Sequence, residues 1–335
     1  MRIDDKDELK RCIRAAVRGL PLPDVLTRLN IAAPRVGLDA MLGEIAPDEA
    51  PEAAFSRLFI ENTPLRQTEQ DVVTALDRLG MPQGDRQVAC LRAQSMTPDA
   101  YLTAVCEQVG WSVALSPVTP ENCGDARAAA FLQPSLDLDA CMTTPGRYGE
   151  RYRAQAERLS AFVREQKISH AALSGADGRM LNGEWMRCLA LPLCEDERLI
   201  LCIGLKDKDA LTQLAQRMDE YPALRVAAWC CEAADEPALI GAAQRMNHLA
   251  PCIRPASISL ALDSERPRFL PYPSYAAVAD FCIGYFRRLR AETARALYER
   301  YLPLLRSGFV LTDHTVAQDI VRMTVGAWTA IHDEY

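Results

Sequence analysis

Two kinds of apolar pattern divide the chain near Trp111. Before it, apolar residues recur every three to four positions, the spacing of one helix face. This predicts helices over residues 5–19, 65–80, 85–95 and 98–109, with Gly80 as a C-terminal stop for the second. After it, short apolar runs alternate with amphipathic stretches of helix length. The runs are Val113–Leu115, Ala129–Leu132, Ser169–Leu173, Leu199–Ile203, Leu224–Trp229 and Ala256–Leu262. Helical patterns lie between most of them, clearest at 147–166, 207–219 and 236–249. Beyond Ser274 the pattern is helical nearly to the end.

Strands that are almost continuously apolar and separated by helices belong in a parallel sheet buried on both faces. Counting Pro23–Leu29 first and Phe269–Tyr272 last gives about eight strands, the number of a (β/α)8 TIM-type barrel. The rival, a doubly wound sheet, would be expected to carry a Gly-x-Gly-x-x-Gly or Walker-type loop, and neither occurs. The expected organisation is one barrel domain over residues 1–335, with a helical insertion at 30–110 and C-terminal helices at 275–335.

Composition changes this picture little. The chain is 49% apolar and 25% charged with a net charge of −7, and its charges are interspersed. No basic block advertises a nucleic-acid or membrane surface. No apolar run approaches the roughly 20 residues of a spanning helix, and Met1–Glu8 is too charged for a signal peptide. Twelve cysteines without a Cys-x-x-Cys pair are expected as buried free thiols in a cytoplasmic protein.

The segment Ala15–Leu29, around Leu22-Pro23-Asp24-Val25-Leu26-Thr27-Arg28, resembles the first barrel strand of a metal-dependent amidohydrolase. Phe59–Pro64 followed by a long helix is similar to the insertion after strand one in the uronate (glucuronate) isomerase-like branch of that superfamily. Ala190–Cys194 with Leu199–Gly204 resembles the approach to strand five, and Tyr221–Cys231 with Glu236–Met246 resembles strand six and its helix. Phe269–Ser274, Tyr285–Arg288 and Leu304–Gly308 resemble strand eight and the C-terminal helices. The resemblance implies an Asp-x-His-x-His metal strand. Asp24 is present, but Leu26 and Arg28 stand at the histidine positions. Cys202 stands at the strand-five histidine, Gln133 at a strand-three arginine, and Pro273 at a substrate-contacting histidine near strand eight. Ala256–Leu262 replaces an aromatic-rich strand. Leucine has no lone pair and arginine repels cations, so neither a metal nor another cofactor is expected.

In a barrel the ligand-facing residues stand at the C-terminal ends of the strands. That selects Arg28, Ser116, Gln133, Ser174, Lys206, Asp207, Glu232, Arg254 and Tyr272. Arg28 and Arg254 could clamp a small anionic or zwitterionic molecule, with Gln133, Ser174, Lys206 and Tyr272 as further contacts. Catalytic candidates are Arg28, Asp24, Cys202 and Lys206, and Cys202 beside Cys230 would make a thiol pair. The bland alternative pairs Arg28 internally with Asp24 or Glu61. His170, His248, His314 and His332 share no metal-ligand spacing, and His248 falls on a predicted helix. One alternative is a shifted alignment of the first strand with a metal held by Cys, Asp and Glu; two metal-free functions stand beside it. One is a metal-independent protein acting on or binding a small anionic or amino-acid-like molecule, as in specialised metabolite biosynthesis. The other is a non-catalytic barrel serving as a scaffold or partner subunit. A homo-oligomer is expected with either metal-free function.

Overall fold

A computed structural model describes residues 2–30, 33–82, 84–123, 131–142 and 150–332. Eight strands form one sheet: β1 Leu22–Asp24, β2 Trp111–Val118, β3 Leu132–Asp137, β4 His170–Ala176, β5 Ile200–Leu205, β6 Arg225–Cys230, β7 Leu249–Ile253 and β8 Leu270–Pro271. They lie in chain order and each pairs in parallel with the next. Just past the strand ends the sheet closes on itself. The Tyr275 N–H donates to the Leu26 carbonyl at 3.3 Å, and the Arg28 N–H to the Ala276 carbonyl at 3.0 Å. The Thr27 hydroxyl donates to the same Ala276 carbonyl at 2.8 Å. This is the (β/α)8 barrel expected from the pattern.

Helices Leu38–Ile45, Gln67–Arg78, Arg86–Gln94 and Pro98–Val109 occupy the long connection between β1 and β2. Phe281–Arg306 and Asp313–His332 follow β8. A two-residue antiparallel pair, Arg2–Ile3 with Leu311–Thr312, ties the chain's start to the last helix. The N-terminal helix Lys6–Arg18 is capped by Asp5 and buries Leu9, Ile13 and Val17, one face at helical spacing.

Two elements differ from the pattern. Strand seven is Leu249–Ile253, whereas residues 255–262 are helical, so Ala256–Leu262 replaces no strand. The helix before it ends at Arg245, and His248 sits in the turn that follows. Pro251 hid the strand, because proline removes a ladder donor. Val226 N–H bonds the His248 carbonyl and Tyr272 N–H the Ile253 carbonyl, so the Pro251 nitrogen faces β8, whose pairing begins only opposite Cys252. Strand three runs Leu132–Asp137, later than the expected run. Ala129 and Ala130 of that run, and residues 147–149 of the helix at 147–166, lie outside the described residues.

Inward-facing Leu26, Val113, Leu115, Ala172, Ile200, Cys202, Ala227, Trp229, Ala250, Cys252 and Leu270 form a continuous core. At the N-terminal ends of the strands the last helix supplies Ala327 and Ile331 to this core, with Trp328 against it. The His170 ring stacks on Trp328 at 5.5 Å and lies 5.3 Å from His332. Burial and the neighbouring His332 push His170 down to about 3, so it is neutral. Two histidines far apart in sequence thus meet in a plug at the closed end. Ile331 is fully buried there. Ile331→Ala is expected to destabilise the protein by about 2–5 kcal/mol, read from denaturant unfolding midpoints.

Candidate functional site

The open end of the barrel is built where β1 meets β8. Asp24 is completely buried. Its carboxylate accepts from the Ser274 backbone at 3.1 Å and from the Ser274 hydroxyl at 2.5 Å. It is a seam bolt rather than an exposed catalytic group. Burial pushes its carboxyl up to about 6, against the hydrogen bonds from Ser274 that favour the charged form. Two residues on, Leu26 points into the core, and Arg28 emerges exposed.

The guanidinium of Arg28 lies over the ring of Tyr275, 5.5 Å from its centroid. Tyr275 in turn packs 6.1 Å from Tyr272 and edge-on to Trp229 at 6.1 Å. The Arg254 guanidinium covers Tyr272 at 4.1 Å. A row of two tyrosines flanked by two guanidiniums therefore crosses the mouth above buried Trp229. Tyr275 has φ +53°, a left-handed conformation that a bulky residue adopts at a cost of about 1–3 kcal/mol. Gly204 makes room for the aromatic floor, since a Cβ there would stand 2.8 Å from the Trp229 indole nitrogen and 2.2 Å from the Ser174 carbonyl.

The two arginines are not equivalent. Arg254 is bonded to fully buried Glu236 at 2.5 Å and to the Cys231 carbonyl at 2.7 Å. Its charge is offset by Glu236 within the protein, unlike the charge expected of a ligand clamp. Arg28 makes no ion pair among the described residues: Asp24 is held by Ser274, and Glu61 accepts from Ser56. The internal pairing offered as its alternative does not form.

The far side of the mouth belongs to β3, β4 and β5. The backbone N–H of exposed Ser174 donates to Asp139 at 2.6 Å. The aliphatic stem of exposed Lys206 runs along Gly175, where a Cβ would meet Lys206 Cε at 2.9 Å. Asp137, at the end of β3, accepts from the Ala140 N–H at 2.9 Å, and burial raises its carboxyl, with Asp139 adding to the effect. Sequence reasoning missed both acids because it ended strand three at Leu132. The alternation Leu136-Asp137-Leu138-Asp139 was the available signal. Gln133, expected at the rim, is the second residue of β3, four before the strand's end.

The structure places the other candidates as follows. Cys202 is fully buried in the barrel core, and burial raises its thiol well above the ordinary range, so no thiolate forms there. Cys230 packs on the outer side of the sheet, so the two thiols face opposite ways; Cys252 is the core neighbour of Cys202. Ser116 donates to the Leu29 carbonyl, and Asp207 caps the helix Lys208–Glu220 through the Ala210 N–H at 2.7 Å. Glu232 is exposed. All twelve cysteines are unbridged. Among the described residues, no group of three or more His, Cys, Asp or Glu is placed to hold a metal ion, and no helix is long and apolar enough to cross a membrane.

The fold is a (β/α)8 barrel similar to those of solved uronate isomerases. The structure is similar to a uronate isomerase from Bacillus halodurans, with a TM-score of 0.83 and 16% identity, covering 98% of this chain and 97% of that one. It is also similar to a uronate isomerase from Thermotoga maritima, with a TM-score of 0.66 and 9% identity over 96% of this chain and 97% of that one. No protein-family model matches the sequence, and no curated protein matches it. At these identities the likeness is one of fold.

The buried Asp24 carboxyl makes a signed prediction. Its folded-state value, about 6, lies above the ordinary 3.8, so the folded protein holds the proton more tightly than the unfolded chain. Its contribution to stability is full below about pH 4 and is lost as pH rises through about 6. The shift corresponds to about 3 kcal/mol. Asp24→Asn keeps the acceptor for Ser274 and cannot ionise. Between about pH 4 and pH 7 the wild type is expected to lose about 3 kcal/mol relative to this variant. Parallel urea titrations across that range read the difference.

Proposed function

We propose that the barrel mouth binds a small carboxylate or zwitterion with Arg28 as its anchor, and that it does so without a metal. The observation that carries this reading is an exposed guanidinium with no carboxylate partner among the described residues, braced on a tyrosine whose backbone is held in a strained conformation. A carboxylate would accept from the Arg28 fork in two parallel bonds. The tyrosine row gives the ligand's carbon skeleton a flat floor. Lys206 extends the positive field, while Asp139, beside Ser174, offers a partner for an ammonium or hydroxyl group. That mixture of signs suits a zwitterion or a hydroxylated acid better than a simple dianion. Free uronates belong to this class, as the names of the two fold relatives suggest.

A divalent ion does not fit the residues present. Leu26 offers no lone pair, Cys202 is sealed in the core, and Arg28 would hold a positive charge beside the ion. Any reaction here would rest on Arg28, Lys206, Asp137 and Asp139, the charged groups that border the mouth. The second reading, a binding barrel without catalysis, is favoured by Trp229 and Tyr275. They fill the axis where the reacting atoms of a substrate would otherwise sit. Twelve unbridged thiols suit a reducing compartment, which we take to be the cytoplasm.

Thermal-shift screening with uronates, keto acids and amino acids tests the site. At least one is expected to raise the melting temperature of the wild type. Arg28→Met is expected to abolish that rise while leaving the unliganded melting temperature within about 2 °C, since the side chain is exposed and unpaired. A ligand shift that survives Arg28→Met unchanged would remove Arg28 from the site.

A further inference from the structure

A second cavity lies outside the barrel, between the N-terminal helix Lys6–Arg18 and the long helix Phe281–Arg306. Its volume is about 850 Å³, within the range of pockets that take organic ligands. Seven cationic side chains line it against a single carboxylate, Glu107. That is the reverse of the chain's net charge of −7. The cations arrive from separate helices: Arg14 and Arg18 from the first, Arg78 from Gln67–Arg78, and Arg287 and Arg290 from the long one.

Ordinary explanations account for only part of this charge. Arg295 is paired with Glu292 and Glu299, and Lys10 lies over the ring of Tyr298 at 5.1 Å. Arg18 and Arg78 stand in the last turns of their helices, where a cation complements the helix dipole. Arg14 and Arg287 have neither excuse: both are exposed and neither has an ion pair among the described residues. Arg290 forms the floor. Its guanidinium is fixed by three backbone carbonyls, Val109 at 2.6 Å, Leu20 at 2.9 Å and Gly110 at 3.3 Å. Gly110 has φ +67°, and a Cβ there would stand 2.9 Å from the same guanidinium. The Nε of Arg290 is buried without a hydrogen-bond partner. Carbonyl dipoles orient this cation but do not neutralise it, so a fixed positive charge underlies a concave surface rimmed by mobile ones.

We propose that this cavity is a binding site for a small molecule carrying a chain of linked phosphates. Several guanidinium forks brought to one cavity by different helices match many non-bridging phosphate oxygens at once, whereas a single carboxylate would satisfy only one fork. Nucleoside polyphosphates and inorganic polyphosphate share this chemistry. The aromatic ring of Tyr298 at the cavity wall is the one feature that could favour the nucleoside.

Equilibrium dialysis of the full chain against labelled ATP, with sodium tripolyphosphate and orthophosphate as competitors, tests the site at low ionic strength. ATP is expected to bind and to be displaced by tripolyphosphate at least tenfold more effectively than by orthophosphate, with affinity falling as salt is raised. Displacement by tripolyphosphate at equal concentration assigns the phosphate chain alone, and ATP outcompeting it assigns a nucleotide. The double variant Arg14→Gln/Arg287→Gln is expected to weaken binding by at least about tenfold with its thermal midpoint unchanged, because both side chains are exposed. No retention of ATP at millimolar concentration, or equal retention by the double variant, would overturn the proposal. So would a short DNA duplex that displaces ATP better than tripolyphosphate does, or a dimer of the wild type that the double variant breaks. The first would make the surface a nucleic-acid face and the second an interface between copies.

Discussion

Closure of the barrel at the seam between β1 and β8 is the constraint on which the rest of this structure depends. An eight-stranded parallel sheet that failed to close would leave two edges of unpaired amide and carbonyl groups. The two strands at the seam are the shortest, three residues and two. The join therefore falls on the segments that follow them, through Leu26, Arg28, Tyr275 and Ala276 backbone bonds and the Asp24–Ser274 side-chain pair. These same segments carry the mouth. Bonding Tyr275 N–H to Leu26 while the backbone turns to positive φ directs its ring inward beneath Arg28. Asp24 sits behind them, buried, with its proton held more tightly than a carboxyl in water. The mouth is thus assembled by the same bonds that close the fold.

The two ends of the barrel are finished differently. At the N-terminal end the last helix inserts Ala327, Trp328 and Ile331, and a neutral His170 completes an apolar plug. At the C-terminal end Trp229 and two tyrosines fill the axis, and charges stand above them. Of these charges, Arg254 and Glu236 cancel one another. Removing Arg254 would leave the fully buried Glu236 unpaired, at about 3–5 kcal/mol. Arg28 and Lys206 remain exposed, while the half-buried Asp137 and Asp139 each accept a backbone N–H. The outer cavity is built on another logic: many cations on rigid helices around a guanidinium fixed by carbonyls. Net charge describes neither place, since one mouth of mixed sign and one strongly positive hollow coexist on an acidic chain.

The sequence by itself determined the alternation of buried strands and amphipathic helices, and with it the barrel. That legibility has a plain cause: a parallel strand covered on both faces must be apolar along its whole length, and a covering helix apolar along one stripe. It failed where a local rule and the tertiary context disagreed. Pro251 reads as a strand breaker, yet its missing donor faces a stretch of β8 that has not begun. Ala256–Leu262 reads as a strand only because so short a run cannot distinguish a period of two from one of 3.6. At the mouth, the ends of strands were legible as positions, and Arg28, Ser174 and Lys206 stand there. Pairing was not. That Glu236 neutralises Arg254, that Ser274 holds Asp24, that Cys202 and Cys230 face opposite sides, and that arginines of three helices surround one cavity are facts about distance between residues remote in the chain. Only the closed fold sets those distances.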